Sequence, residues 1–129
     1  MNLLAVAFGG GVGAVCRYLL SKLLSEHCAN YIPLGTVTVN LLGSFLIGFL
    51  FEAFAAYEVR PAARLLLTTG FLGGFTTFST YALESVNLLR EKQYIHSFLL
   101  IAMHNVLGLC MVVFGVLAFK GIRYVVGGG

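Results

Sequence analysis

The residues of this sequence that are able to do chemistry are concentrated in the segment 68–81. After Thr68 and Thr69, three glycines are followed by four Ser or Thr residues: Gly70, Gly73 and Gly74, then Thr76, Thr77, Ser79 and Thr80. Glycine, serine and threonine all form helices less readily than alanine, so the segment predicts an interrupted helix. Carbonyl groups freed by an interruption suit a bare cation, whereas hydroxyl and freed N–H groups suit an anion. The alternative is a glycine-rich crossing point where helices pack closely.

Four apolar stretches make up most of the chain, and the third contains this segment. They are residues 3–24, 34–56, 62–89 and 95–119, each long enough to supply the ~20 apolar residues that cross a bilayer core. Pro33 and Pro61 precede the second and third stretches, where proline favours the start of a helix. The third stretch has 28 residues, which is about 42 Å of helix against a core of about 30 Å. We therefore expect it to break near mid-membrane.

The composition places all four stretches in one transmembrane domain, residues 1–129. Of the 129 residues, 59% are hydrophobic and 10% are charged, against about 25% charged in soluble domains. So few charges cannot cover a water-facing surface, which excludes an ordinary soluble enzyme and a disordered tail. The eight Lys and Arg residues are scattered, so no nucleic acid is expected as a partner. The chain is not expected to be an enzyme, because it shows no nucleophile–base or metal constellation.

The glycines of the first stretch allow two interpretations. Residues 9–14 fit the G-x-G-x-x-A pattern of dinucleotide-binding sites, but that pattern requires a strand before it and a helix after it. Here it lies inside a helix-length apolar run, so Gly9 and Gly13 at GxxxG spacing indicate close helix packing instead. The first 16 residues hold no Lys or Arg, so this stretch is expected to be a retained span and not a signal peptide.

Positive charge is almost equal on the two sides of the membrane. One side would hold Arg60, Arg64, Lys120 and Arg123, and the other Lys22, Arg90 and Lys92. The excess of Lys and Arg on one side normally sets orientation, and four against three is nearly no excess. The sequence therefore predicts a chain able to insert either way up, and hence a dimer, with an antiparallel arrangement as one option.

Several ionisable or amide side chains lie inside the apolar stretches, where they are costly and are candidates for function. They are Arg17, Asn40, Glu52, Glu84, His96, His104 and Asn105. Glu52 and His96 lie near span ends, so we favour exposure at the interface for both. For Arg17 a structural and a functional role remain equally open. For His104 and Asn105 we favour an interhelical hydrogen bond over a ligand site.

In the residues described above, the chain resembles the Fluc (CrcB-like) family of bacterial fluoride channels. The resemblance is carried by three motifs in the family's order: Gly10-x-x-Gly13-Ala14-x-x-Arg17-Tyr18, then Gly35-Thr36-x-x-Val39-Asn40, then Thr69-Gly70-x-x-Gly73-Gly74-x-Thr76-Thr77-Phe78-Ser79-Thr80 with Glu84. It covers the whole chain and is loosest in the fourth stretch. The joint occurrence of the motifs at these spacings is what makes it specific.

The resemblance implies an all-α integral membrane protein of the bacterial plasma (inner) membrane. Four transmembrane helices per chain, the third broken, would form an antiparallel dual-topology homodimer with two fluoride pores. The carbonyl groups of Gly73 and Thr76 would bind a structural Na⁺ at the dimer centre. The implied function is passive export of cytoplasmic fluoride, which lowers its toxicity.

The resemblance also implies which residues line the pore. Phe78 would present the positive edge of its ring to the anion, and Tyr81 stands where the family usually has a second phenylalanine. The amide of Asn40 and the hydroxyls of Thr36, Ser79 and Thr80 would be donors. For Tyr81, the hydroxyl either donates to fluoride or crowds the path. Arg17 and Glu84 would lie at a vestibule or serve the architecture.

Two other functions remain as alternatives. A small multidrug-resistance-type exporter is also a four-span dual-topology dimer, but its proton coupling relies on a mid-membrane carboxylate in the first helix. This sequence has no acidic residue before Glu26. The second alternative is a non-transporting membrane subunit whose glycines only pack helices.

Overall fold

A computed structural model of the chain describes residues 2–27 and 31–127, which form helices and short connections with no strand among them. Helix α1 is Asn2–His27 and α2 is Leu34–Ala56. Helix α3 covers 61–75, and Leu66–Leu72 within it is a π-helical turn. Helix α4 is Phe78–Arg90. Helix α5 is Tyr94–Gly127, with a second π-helical turn at Met103–Leu107. The prediction of an all-helical protein is confirmed.

Three of the described helices are long and apolar enough to cross a membrane: Asn2–Ser25, Leu34–Ala56 and Tyr94–Gly127. The predicted third span, 62–89, corresponds to α3 and α4, which are joined by two extended residues, Thr76 and Thr77. With 13 residues, α4 is about 20 Å long, which is less than the core of a bilayer. Helix α5 continues eight residues past the predicted end at 119 and is about 51 Å long.

The ends of the helices follow from local sequence. Pro61 occupies the first turn of α3, where its missing N–H costs no helical bond. At the end of α4, the Lys92 N–H donates to the Leu89 carbonyl and the Gln93 N–H donates to the Leu88 carbonyl. This pattern is a Schellman motif, and Lys92 adopts the left-handed φ of 60° that the motif requires.

Glycines bring α1 against α3 and α2 against α5. A Cβ atom at Gly9 would collide with the Leu66 carbonyl oxygen, and one at Gly13 would collide with that of Phe71. A Cβ atom at Gly115 of α5 would collide in the same way with a carbonyl oxygen of α2. The GxxxG pair of the first stretch therefore packs helices, as predicted, and does not form a nucleotide-binding turn.

A small apolar core lies where α2, α4 and α5 meet. Leu100 is fully buried and packs with Val37 and Leu88. Beside them, the buried Ser97 hydroxyl donates to the Ser85 carbonyl at 2.9 Å, so this polar group is satisfied inside the apolar core. The large apolar side chains that a soluble protein would bury are mostly exposed on the outside of the helices, as expected where lipid is the solvent.

Polar residues near the span ends behave differently from one another. The Lys120 ammonium lies 3.2 Å from a carboxylate oxygen of Glu52. Glu52, which we expected only to reach the interface, is therefore held in an ion pair between α2 and α5. His96 accepts or donates a bond to the Gln93 side chain at 3.0 Å and packs against the Tyr31 ring.

Candidate functional site

The site is built around the interruption between α3 and α4. Thr76 and Thr77 both have extended backbone conformations, with ψ angles of 158° and 109°. The Thr76 N–H and the Thr76 hydroxyl both donate to the Leu72 carbonyl, at 3.0 and 2.9 Å. The last turn of α3 is therefore closed by the side chain and main chain of one residue, after which the helical ladder stops.

Asn40 of α2 holds the extended residues in place. Its Nδ2 donates to the Thr77 carbonyl at 3.0 Å, and its Oδ1 accepts from the Thr77 N–H at 2.8 Å. In an uninterrupted helix that N–H would donate to the Gly73 carbonyl four residues earlier. The two bonds use the carbonyl and one of the two N–H hydrogens of the Asn40 amide. The second hydrogen remains available to a ligand.

Thr77 also caps the start of α4. Its hydroxyl oxygen accepts from the Thr80 N–H at 3.3 Å and lies 2.8 Å from the Thr80 hydroxyl and 3.5 Å from that of Ser79. Three hydroxyl groups thus gather at the N-terminus of a 13-residue helix. The partial positive charge there favours an anion.

A first cavity of about 400 Å³ opens on one side of the interruption. Five of the predicted site residues line it, together with two residues of α5: Asn40, Gly73, Thr76, Phe78 and Tyr81, with His104 and Asn105. The Phe78 and Tyr81 rings meet edge to face, 5.4 Å apart and inclined at 66°. The Phe78 side chain is 78% exposed in the single chain, so this cavity has no outer wall of its own.

Helix α5 meets Tyr81 through both of its polar residues. The His104 ring stacks on the Tyr81 ring with centroids 4.3 Å apart, and the Asn105 Nδ2 lies 3.3 Å from the Tyr81 hydroxyl. The interhelical hydrogen bond expected in this part of the chain is therefore made by Asn105. His104 instead bonds the Leu100 carbonyl of its own helix at 2.9 Å.

A second cavity, of about 350 Å³, lies on the other side of the interruption. Four predicted site residues line it: Arg17, Thr36, Thr80 and Glu84. The Thr36 hydroxyl donates its one hydrogen to Glu84 Oε1 at 2.8 Å. The other carboxylate oxygen of Glu84 is buried without a hydrogen-bond partner among the described residues. The Arg17 Nη1 reaches the Thr76 carbonyl at 3.4 Å, so α1 touches the interruption from this side.

The predicted residues are thus divided between two cavities that share the interruption. Ser79 lines neither of the two, although its hydroxyl belongs to the group around Thr77. The sequence placed Thr77 in the hydroxyl-bearing segment but gave it no role of its own, yet it is the residue on which Asn40, Ser79 and Thr80 converge. A threonine just before an apolar helical run is a recognised N-cap signal and would have identified it.

The carbonyl groups of Gly73 and Thr76 are among those freed from helical bonds at the interruption. The Thr77 N–H that would bond Gly73 goes to Asn40, and the Thr80 N–H that would bond Thr76 goes to the Thr77 hydroxyl. No group of three or more His, Cys, Asp or Glu side chains suited to a metal occurs among the described residues.

These features define a multi-pass helical membrane protein with polar residues gathered at an interrupted helix. The family model described as "CrcB-like protein, Camphor Resistance (CrcB)" matches residues 4–116. The chain belongs to this family.

Relatives from three organisms carry the name "Fluoride-specific ion channel FluC". The relative from Hydrogenobaculum sp. (strain Y04AAS1) is 47% identical over 116 residues, covering 89% of this chain and 94% of that protein. The relative from Aquifex aeolicus (strain VF5) is 49% identical over 106 residues, covering 81% and 86%. The relative from Campylobacter lari (strain RM2100 / D67 / ATCC BAA-1060) is 41% identical over 119 residues, covering 92% and 98%. Their shared name is that of an ion channel and not of an enzyme.

Proposed function

We propose that this chain is a fluoride-specific ion channel that exports cytoplasmic fluoride passively. The observation that carries the proposal is the gathering of uncharged hydrogen-bond donors at the interruption between α3 and α4. The names of the relatives support the same function for this chain.

The donors suit fluoride because the ion is small and strongly hydrated, so a pore must replace its water with closely spaced hydrogen bonds. The free N–H of Asn40, the hydroxyls of Ser79 and Thr80, and the ring edges of Phe78 and Tyr81 supply them. None of these groups carries a fixed charge that would trap the ion. Conduction needs binding that is strong enough for entry and weak enough for exit.

The second cavity suits the entry to the pore. Arg17 supplies positive charge there, which raises the local concentration of anions. Thr36 is placed as the partner of Glu84, so its contribution to the path is to hold that carboxylate aside. Acid outside the cell lets neutral HF enter and ionise, and the inside-negative potential then drives the anion out through the pore.

The pore would be completed by a second copy of the chain in the antiparallel orientation. The near-equal Lys and Arg count on the two sides permits both orientations of insertion. The 78% exposure of Phe78 in the single chain supports the same arrangement, because a permeation path needs a wall on both sides of the ring. Two opposed copies would form a dual-topology homodimer with two pores, and the interruption would lie near mid-membrane.

The Gly73 and Thr76 carbonyl groups fit a structural Na⁺ at the dimer centre. Both are freed from helical bonds, and main-chain oxygens are the ligands that hard cations prefer. The Arg17 contact to the Thr76 oxygen at 3.4 Å is long for a hydrogen bond, which leaves a lone pair of that oxygen for a cation. A bound cation would fix the two interruptions against each other.

Fluoride efflux from liposomes containing the purified protein tests the function. We expect efflux well above that of empty vesicles, and efflux equal to theirs would overturn the proposal. A Phe78→Leu variant should lose at least tenfold in rate, since it removes the ring edge from the path. Phe98→Leu is the matched control, because Phe98 is 70% exposed and lines neither cavity. Efflux that survives Phe78→Leu would remove Phe78 from the pore and leave the function standing.

A further inference from the structure

Tyr81 differs from the other proposed pore residues because α5 fixes the direction of its hydroxyl group. The Asn105 Nδ2 donates to the Ile101 carbonyl at 2.8 Å and lies 3.3 Å from Tyr81 Oη. A main-chain carbonyl oxygen only accepts hydrogen bonds, so the atom of Asn105 that faces Ile101 must be the nitrogen. The same NH₂ group faces Tyr81, and the tyrosine oxygen is therefore the acceptor in that contact.

The consequence is that the single hydrogen of the Tyr81 hydroxyl is free to donate elsewhere. Among the described residues, no other group bonds this hydroxyl, and its side chain lines the first cavity beside Asn40 and Phe78. A hydroxyl that accepts one hydrogen bond also becomes a stronger donor. The arrangement thus leaves a free hydroxyl hydrogen on a tyrosine that lines the cavity.

The ring of Tyr81 is held as firmly as its hydroxyl. The His104 ring stacks on it at 4.3 Å and an inclination of 27°, and Phe78 meets it edge to face from α4. His104 is itself fixed, because its Nδ1 bonds the Leu100 carbonyl. His104 and Asn105 are consecutive residues in the π-helical turn Met103–Leu107. Such turns are frequent at functional sites, and this one brings two neighbouring side chains to the same tyrosine.

We propose that the Tyr81 hydroxyl is a fluoride donor and that Asn105 is the positioning residue that directs its hydrogen into the path. This inference rests on the proposed channel function. It assigns a role to Asn105 and to the hydroxyl of Tyr81. A phenylalanine at position 81 would supply the same ring edge but no hydroxyl.

The test is a double-mutant cycle. For each variant, the current across a planar bilayer is measured as a function of fluoride concentration, and the concentration that gives half of the maximal current is compared. Tyr81→Phe should raise that concentration by about tenfold or more, since it removes a hydrogen bond to an anion. Asn105→Leu should raise it by a smaller factor, about twofold to fivefold, because the hydroxyl remains but loses its orientation. In the Tyr81→Phe background, Asn105→Leu should have no further effect. An equal effect of Asn105→Leu in both backgrounds would overturn the positioning role.

The controls separate this inference from the proposed function. Tyr94→Phe makes the same chemical change at an exposed tyrosine outside the cavity and should leave the fluoride dependence unchanged. If Asn105→Leu does not assemble, as judged by gel filtration, Asn105→Ala takes its place in the cycle. A wild-type protein that conducts no fluoride overturns the function itself. If the wild-type protein conducts fluoride and Tyr81→Phe has the same half-saturating fluoride concentration, only the donor role of the hydroxyl is overturned.

Discussion

Replacing Asn40 with alanine removes the side chain that holds the interruption between α3 and α4. The two hydrogen bonds from this amide, at 3.0 and 2.8 Å, satisfy both the carbonyl and the N–H of Thr77. If water entering the adjoining cavity replaces them, each bond lost costs about 1 kcal/mol. If the site stays dry, each unpaired group costs about 1–3 kcal/mol. The expected loss in the free energy of unfolding is therefore about 2–6 kcal/mol.

Unfolding of the purified protein in detergent or lipid, followed by denaturant titration, measures this loss. Ser44→Ala is the matched control, because Ser44 lies one turn further along α2 and lines the same cavity. No hydrogen bond joins the Ser44 side chain to the interruption in the part of the chain that the structure describes. Its loss should cost less than about 1 kcal/mol.

An Asn40→Asp variant sharpens the experiment. An ionised carboxylate still accepts from the Thr77 N–H but turns an acceptor oxygen toward the Thr77 carbonyl, which is unfavourable. Acidification gives the carboxyl a hydrogen that it can donate, so the stability of this variant should recover at low pH while that of Asn40→Ala does not. If Asn40→Ala were as stable as Ser44→Ala, the conclusion that Asn40 holds the interruption between α3 and α4 would be refuted. That result would leave the proposed donation from Asn40 to fluoride untouched.

Three further experiments test the close approach of two helices, the end of α4 and the ion pair between α2 and α5. Gly13→Ala should cost several kcal/mol in the free energy of unfolding, because its Cβ would meet the backbone of α3. Gly11→Ala is the control and should be neutral or stabilising, since nothing lies within 4 Å of its Cβ. Equal effects of the two substitutions would contradict the close approach of α1 and α3. Lys92→Gly should raise the free energy of unfolding by up to about 1 kcal/mol by relieving the left-handed φ of 60°. Lys92→Ala removes the long charged side chain but keeps the Cβ atom, so it should bring no such gain. A double-mutant cycle of Glu52→Gln and Lys120→Gln should give a coupling below about 1 kcal/mol, since the lysine is 59% exposed, and a much larger coupling would mean that the pair is shielded from water.

The sequence predicted the elements of this protein better than their contacts. The bounds of α2 match the predicted stretch 34–56, because Pro33 and a polar segment limit it on either side. The weak helix formers of 68–81 located the point where α3 gives way to α4. Even the ion pair of Glu52, missed from the sequence, lies close to the predicted end of its helix.

The hydrogen-bond partners of the polar groups could not be predicted from the sequence. Asn40 and Thr77 are 37 residues apart, and Arg17 and Thr76 are 59 apart. The sequence marked Asn40 and Thr36 as donors for an ion but did not indicate that Asn40 also holds the backbone of Thr77 or that Thr36 is bonded to Glu84.

Local features could be read from the sequence: helix length follows from the run of apolar residues, and the weak point of the third stretch follows from its glycine and threonine residues. How each polar group is satisfied depends on the tertiary structure. In an apolar solvent an unpaired donor or acceptor is costly, so each takes whatever partner the packing of the helices brings within reach. That packing depends on side chains far apart in the chain, and no spacing along the sequence records it.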